Sequence, residues 1–265
     1  MTRETMRGLE RGLSVLKVLE RSDGLALRDL HHETKLPKPT LLRILSTLEE
    51  NGYAWRRITD GTWRRAAHKS TTPRSMLHDL LLDVGGEVLD DLCQRIVWPS
   101  DLAVYHRGMM HILETTRKKT PYAVNMTGIG YRVPMLQTGL GRAWLAFSSA
   151  PEREKILAEL RRSENPFDRA AHEPAMVAAI LEETRRKGYG TRVPGFTLRA
   201  TGEDKTNGIA VPVLMRGNVI ACISLVWTIN ALNEQTVVKR YLAKAQAAAS
   251  RIGYEIEQQL PEAMI

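Results

Sequence analysis

Lys38-Pro39-Thr40-Leu41-Leu42-Arg43-Ile44-Leu45 is the stretch whose reading decides the fold. On a helix, Leu41, Ile44, Leu45 and Leu48 recur at i, i+3, i+4 and i+7 and form one buried stripe. Arg43 and Ser46 then face away, with Thr40 and Leu42 on the flanks. Pro37 and Pro39 give a sharp start, because proline costs nothing where the first N–H groups of a helix have no acceptor. Upstream, Leu27-Arg28-Asp29-Leu30-His31 reads as a shorter helix and Lys35-Leu36-Pro37 as a tight connection. Two helices joined in this way predict a helix-turn-helix.

Downstream, Trp55-Arg56-Arg57-Ile58-Thr59 and Thr62-Trp63-Arg64-Arg65 are strand-like runs separated by Asp60-Gly61, a dipeptide that favours a two-residue hairpin turn. Such a turn pairs Ile58 with Trp63 and Arg57 with Arg64. Like charges directly opposite destabilise a sheet, so a hairpin that stacks four arginines makes sense beside a polyanion. The expectation is a winged helix-turn-helix over residues 1–68. An earlier helix, with Leu9, Leu13 and Leu16, would pack beneath the other two.

After a polar break at Lys69-Ser70-Thr71-Thr72-Pro73, the apolar periodicity from Met76 to Ile96 predicts a linker helix over residues 69–96, interrupted near Gly85-Gly86 and offering an apolar face to a second subunit. From Trp98 onward short strands and helices alternate. Strands are expected at 101–106 and 109–116, helices at 138–147, 151–162 and 174–187, a strand pair at 208–215 and 219–228, and a closing helix over 233–259. Hairpins mixed with helices predict an α+β domain over residues 97–265 rather than a doubly wound parallel sheet.

The 265 residues suffice for two domains, each with its own core. The net charge of +8 is uneven, since the first 75 residues alone carry +6. Basic excess confined to a winged helix is the electrostatic footprint of phosphate binding. A polar N-terminus and the lack of a long apolar run predict a cytoplasmic protein. Cys93 and Cys222 sit in apolar runs and read as core residues, and His106 and His111 can face one another across a hairpin. No phosphate loop, nucleophile elbow, carboxylate cluster or zinc spacing stands out, so an enzyme is disfavoured and neither cofactor nor metal is expected. One feature can serve a ligand: Gly139-Leu140-Gly141-Arg142 opens a helix, whose N–H groups can hold an anion or simply allow close packing.

Several motifs together resemble the isocitrate lyase regulator (IclR) family of bacterial transcription factors. They are Arg7 to Leu19, the Leu36-Pro37-Lys38-Pro39-Thr40-Leu41-Leu42-Arg43 helix, Glu50-Asn51-Gly52-Tyr53, Arg132-Val133-Pro134-Met135-Leu136, Thr138 to Ala146, and Ile209-Ala210-Val211-Pro212-Val213. The resemblance covers nearly the whole chain and implies a GAF-like effector-binding domain after the linker. Val97-Trp98-Pro99-Ser100-Asp101, Glu114-Thr115-Thr116 and Gly188-Tyr189-Gly190 look most like a branch of the family that governs hydroxyphenylpropionate catabolism.

The resemblance implies a homodimer or dimer of dimers on a pseudo-palindromic operator, with contact to RNA polymerase, and an effector that is an aromatic acid. Lys38, Thr40, Leu42 and Arg43 would meet the DNA, with Pro39 standing where the family usually has a capping serine. Arg56, Arg57, Arg64 and Arg65 would position the wing on phosphates. The family's effector pocket maps to Gly139, Leu140, Ser224 and Val226, with Arg132 as the candidate for the carboxylate. Trp98 and Tyr105 can stack on a ring or fill the core. Two rivals from other classes are a small-acid enzyme with a nucleic-acid-binding appendage and a non-specific DNA binder without effector.

Overall fold

The computed structural model describes residues 6–22, 24–57, 60–65, 73–121, 128–196 and 205–260, the side chains of 73–75 excepted. The chain divides into two compact units, Met1–Asp79 and Leu80–Ile265.

In the first unit α1 (Arg7–Glu20), α2 (Leu27–Thr34) and α3 (Lys38–Glu50) precede a hairpin of β1 (Ala54–Arg56) and β2 (Trp63–Arg65). Leu41 and Leu45 of α3 are wholly buried against Val15, Leu19, Leu30, Ala54 and Trp63. The connection between α2 and α3 turns at Lys35, which adopts φ +56°, and is tied down by His31 Nδ1 within 2.7 Å of Leu36 O. α1 packs through Val15 and Leu19; of the leucines expected from the sequence Leu16 is half-buried, while Leu9 and Leu13 are exposed.

The wing differs from its expected register. Arg56 faces Trp63, Trp55 faces Arg64 and Ala54 faces Arg65, so the arginines alternate with other residues instead of stacking. Asp60 explains the shift: its Oδ1 accepts from Thr62 N at 2.9 Å and from Thr62 Oγ1 at 2.6 Å, and Arg57 N donates to Thr62 O at 2.8 Å. This closes a wider loop than the two-residue turn. Ile58, expected opposite Trp63, lies outside the described residues. Leu25 exchanges backbone hydrogen bonds of 3.0 and 2.8 Å with Trp63 and adds a third edge to the hairpin.

α4 (Pro73–Ile96) runs unbroken through Gly85 and Gly86, where an interruption was expected. Gly85 serves packing instead, whereas a Cβ on Gly86 would meet only ordinary contacts with Glu114 at 3.8 Å or more. A Cβ on Gly85 would lie 2.4 Å from Leu102 Cδ2, so the buried Leu102 side chain takes the space a larger residue would fill. Most of α4 therefore belongs to the second unit rather than to a free linker.

The second unit is built on a six-stranded antiparallel sheet of order β5-β4-β3-β8-β7-β6. Its strands are β3 (Ser100–His106), β4 (Met109–Thr115), β5 (Arg132–Pro134), β6 (Gly190–Thr191), β7 (Thr206–Met215) and β8 (Asn218–Thr228). The tight turns Arg107-Gly108 and Arg216-Gly217 both have positive φ at the two central residues, the geometry that matches strand twist. α5 (Gly139–Phe147), α6 (Ala150–Arg161), a 3-10 segment (Pro166–His172) and α7 (Pro174–Lys187) follow β5, and α8 (Glu234–Gln259) closes the chain. Thr138, Ser149 and Asn233 cap α5, α6 and α8 with their side-chain oxygens. Cys93 and Cys222 are buried and unpaired, and burial pushes both thiols up from their ordinary pKa. The His106 and His111 rings meet edge to face with centroids 4.9 Å apart.

Candidate nucleic-acid interface and effector cavity

With Leu41 and Leu45 directed inward, α3 presents Lys38, Leu42 and Arg43 to solvent and Thr40 at its half-buried flank. Leu42 is 48% exposed on this face. The four wing arginines do not share one environment. Arg56 is exposed, its Nε donating to Gly61 O at 3.3 Å. Arg64 is half-buried, and Arg65 pairs with Glu20 of α1 at 2.7 Å. Arg57 is only 2% exposed and lies 3.9 Å from Asp60. Burial raises the Asp60 pKa, but hydrogen bonds from Thr62 and the charges of Arg57 and Arg64 overcome it, and the net shift is downward. Lys38, Arg43 and Arg56 are exposed and form no ion pair among the described residues, Arg65 is exposed but paired, and Arg57 is buried against the wing loop.

In the second unit a small cavity of about 40 Å³ lies where the N-terminus of α5 meets the sheet. Gly139, Leu140, Ser224 and Val226, all expected from the sequence, line it. Glycine is required at the helix start: a Cβ on Gly139 would stand 2.7 Å from Gly190 O, and one on Gly190 would stand 2.2 Å from Gly139 O. The α5 N-terminus thus touches β6; Gly141 N is taken by the Thr138 Oγ1 cap at 3.3 Å, and Gly139 and Leu140, at the start of the helix, line the cavity.

The cavity's polar side is one that sequence reasoning missed. Asp101 is 1% exposed and its carboxylate is fully engaged. Arg117 Nε donates to Oδ1 at 3.0 Å, Arg117 Nη2 to Oδ2 at 2.7 Å, Thr115 Oγ1 to Oδ1 at 2.7 Å and Ser224 Oγ to Oδ2 at 3.1 Å. Arg192 lines the same space and donates through Nη1 to Thr206 O at 3.0 Å. Thr138, Ile112, Val133, Gly208 and Ile209 complete the lining. Asp101, Thr115 and Thr116 fell inside motifs noted for resemblance, but nothing local distinguishes Arg117 or Arg192 from a surface arginine, because their partners are distant in sequence.

Three expected effector residues lie elsewhere. Arg132 is exposed on β5, opposite His111. Tyr105 sits at the other end of β3, where its hydroxyl donates to Glu159 Oε2 at 2.5 Å and accepts from Gly108 N at 3.1 Å. Trp98 is 6% exposed and is not part of the cavity wall. Among the described residues no cluster of histidine, cysteine or carboxylate side chains could hold a metal ion, and no helix is long and apolar enough to cross a membrane.

A winged helix-turn-helix followed by a sheet-and-helix domain with a small polar-apolar cavity defines the class of DNA-binding regulators that carry a ligand domain. The sequence matches the IclR helix-turn-helix domain over residues 8–57 and the bacterial transcriptional regulator IclR C-terminal domain over residues 78–254. The chain belongs to the IclR family of transcriptional regulators. It is 27% identical to the transcriptional repressor IclR of Escherichia coli over 69% of this chain and 68% of that one. It is 23% identical to the Pca regulon regulatory protein of Pseudomonas putida over 95% and 84%. Among solved structures, the Thermotoga maritima IclR superimposes with TM-score 0.54 at 17% identity, covering 96% of this chain and 100% of that one. An IclR homolog from Microbacterium hydrocarbonoxydans, complexed with 4-hydroxybenzoate, gives 0.53 at 24% identity over 95% and 99%. At these identities both structures support the fold.

Proposed function

We propose that this protein controls transcription in response to an aromatic carboxylic acid seated in the cavity at the α5 N-terminus. The observation that carries the reading is the lining itself. Leu140, Ile112, Val133, Ile209 and Val226 offer apolar surface to a ring, while the α5 N-terminus and Arg192 offer donors to a carboxylate. Arg117 is already matched in charge by Asp101. Arg192 lines the cavity whereas Arg132 lies exposed outside it, so Arg192 is the candidate that can reach a carboxylate there. Ser224, held by Asp101, is placed to meet a ring hydroxyl.

The space is small, so a ring enters only by parting the walls formed by α5 and β7. A ligand that binds only the widened state shifts the population toward it, and that difference is what a switch requires. The relatives agree in kind: one is named for the pca regulon, and the solved homolog holds 4-hydroxybenzoate. Local likeness to the activator of 3-(3-hydroxyphenyl)propionate catabolism, through residues 97–101, 114–116 and 188–190, points the same way. On DNA, two copies would place one α3 in each half of a pseudo-palindromic operator, as a dimer or a dimer of dimers, with RNA polymerase reading the outcome.

The test is a gel shift against the DNA beside this gene, repeated with a panel of benzoic and phenylpropanoic acids. Operator affinity or the pattern of complexes should change with at least one acid, and Arg192→Gln should abolish that response while leaving unliganded binding intact. A protein that ignores every acid, or that binds random DNA equally well, would not be this kind of regulator.

A further inference from the structure

A second, larger space opens on another part of the same unit. It is a cleft of about 550 Å³ between α6, the 3-10 segment and α7, within the range of small-ligand sites. Its floor is apolar: Leu157, Val177 and Leu181 are buried, and Ala178 lies exposed beside them.

Its wall carries three arginines, Arg153, Arg161 and Arg185, against two glutamates, Glu154 and Glu182. Arg153 comes from α6 and Arg185 from α7, and each gives one nitrogen to a backbone carbonyl at the C-terminal end of α5. Arg185 Nε donates to Ala146 O at 2.7 Å, and Arg153 Nη1 donates to Ser148 O at 2.9 Å. These bonds orient the two guanidinium groups, and each still has most of its N–H donors left. Neither forms a salt bridge among the described residues, whereas the third arginine of the cleft, Arg161, is matched by Glu154 at 2.8 Å. The two positive charges are close enough to feel one another. The Arg185 pKa is lowered first by burial and next by Arg153, with Glu182 partly opposing.

We propose that this cleft is a second ligand site, taking an organic carboxylate whose anionic end lies between Arg153 and Arg185 and whose apolar body rests on Leu157, Val177, Ala178 and Leu181. A guanidinium donates two parallel N–H bonds to a carboxylate, which a lysine cannot do. The cleft and the first cavity touch opposite ends of one short element. α5 has 9 residues, about 13 Å of helix. Its N-terminus lines the cavity and its C-terminal carbonyls are held by the arginines of the cleft.

Calorimetric titration of the full-length protein with benzoate and with 3-phenylpropanoate tests this. Two binding events per chain are expected for at least one probe. Arg192→Gln should remove one event, and the double variant Arg153→Gln with Arg185→Gln the other. Because the double variant also loses two caps on α5, a second variant is decisive. Ala178→Glu changes an exposed residue, keeps both caps and sets a carboxylate into the cleft, so it should weaken the second event roughly tenfold or more with the melting temperature unchanged. A single event, no binding at millimolar probe, or second-site binding lost in the double variant but untouched by Ala178→Glu would overturn the proposal. The last result would leave the arginines as caps of α5 only.

Discussion

Asp101 and Arg117 meet through two parallel hydrogen bonds, 3.0 and 2.7 Å long, with both side chains almost completely buried. A pair of this kind contributes little net stability as a unit, because desolvating two charges offsets their attraction, but removing one partner strands the other. Asp101→Asn should therefore destabilise the second unit by about 3–5 kcal/mol, read as a fall in the denaturation midpoint. Replacing both residues with apolar ones should recover a large part of that loss. A small effect from the single change would mean that water reaches Arg117.

Two glycines should respond to the same substitution with opposite sign. In Gly190→Ala the new methyl would lie 2.2 Å from Gly139 O and 2.8 Å from Ala143 N, both backbone atoms that cannot swing aside. The expected cost is about 1–3 kcal/mol, together with loss of ligand binding as α5 is pushed off β6. In Gly8→Ala, on the open face of α1, nothing lies within 4 Å, and the gain should be about 0.5–1 kcal/mol. Thermal melts of the two variants check both.

On DNA the arginines should separate into three behaviours. Arg43→Ala, on the exposed face of α3, should cost about 1–3 kcal/mol and relax discrimination at one base position. Arg56→Ala should weaken binding to all sequences alike and lower the salt slope by about one. Arg57→Ala should instead lower the melting temperature of the first unit, since that side chain is buried against the wing loop. Fluorescence anisotropy at several salt concentrations, beside a melt of each variant, distinguishes them.

Acid should loosen the wing through Asp60. Its folded pKa lies below the ordinary 3.8, so its contribution is complete above the unfolded value and is lost as pH falls through the folded one. The difference in melting temperature between wild type and Asp60→Ala should therefore be constant near neutrality and shrink below about pH 4. A difference that stays constant down to the acid end would place the role of Asp60 in loop shape alone.

Much of the fold could be read directly from the chain, because local signals there agree with one another. The Leu41, Ile44, Leu45 and Leu48 stripe, the Arg107-Gly108 and Arg216-Gly217 turns and the helix ending at Gly188 are each set by periodicity or by backbone freedom within a few residues. Errors arose where a local signal had two uses. Gly85-Gly86 breaks a helix in isolation, but in the folded unit Gly85 leaves the space that the Leu102 side chain takes. Asp60-Gly61 favours a two-residue turn, yet the Asp60 carboxylate captures Thr62 and widens the loop.

The sequence by itself determined that this is a winged helix-turn-helix regulator with an attached α+β domain, and that Gly139, Leu140, Ser224 and Val226 belong to one region of it. Only the tertiary structure decided which charges share that region. It brought Asp101, Arg117 and Ser224 together across 123 positions of chain, left Arg132 at the surface, buried Arg57 and paired the exposed Arg65 with Glu20. The reason is physical: helices and turns are fixed by neighbours in sequence, whereas the worth of a charge depends on burial and on partners that only folding supplies.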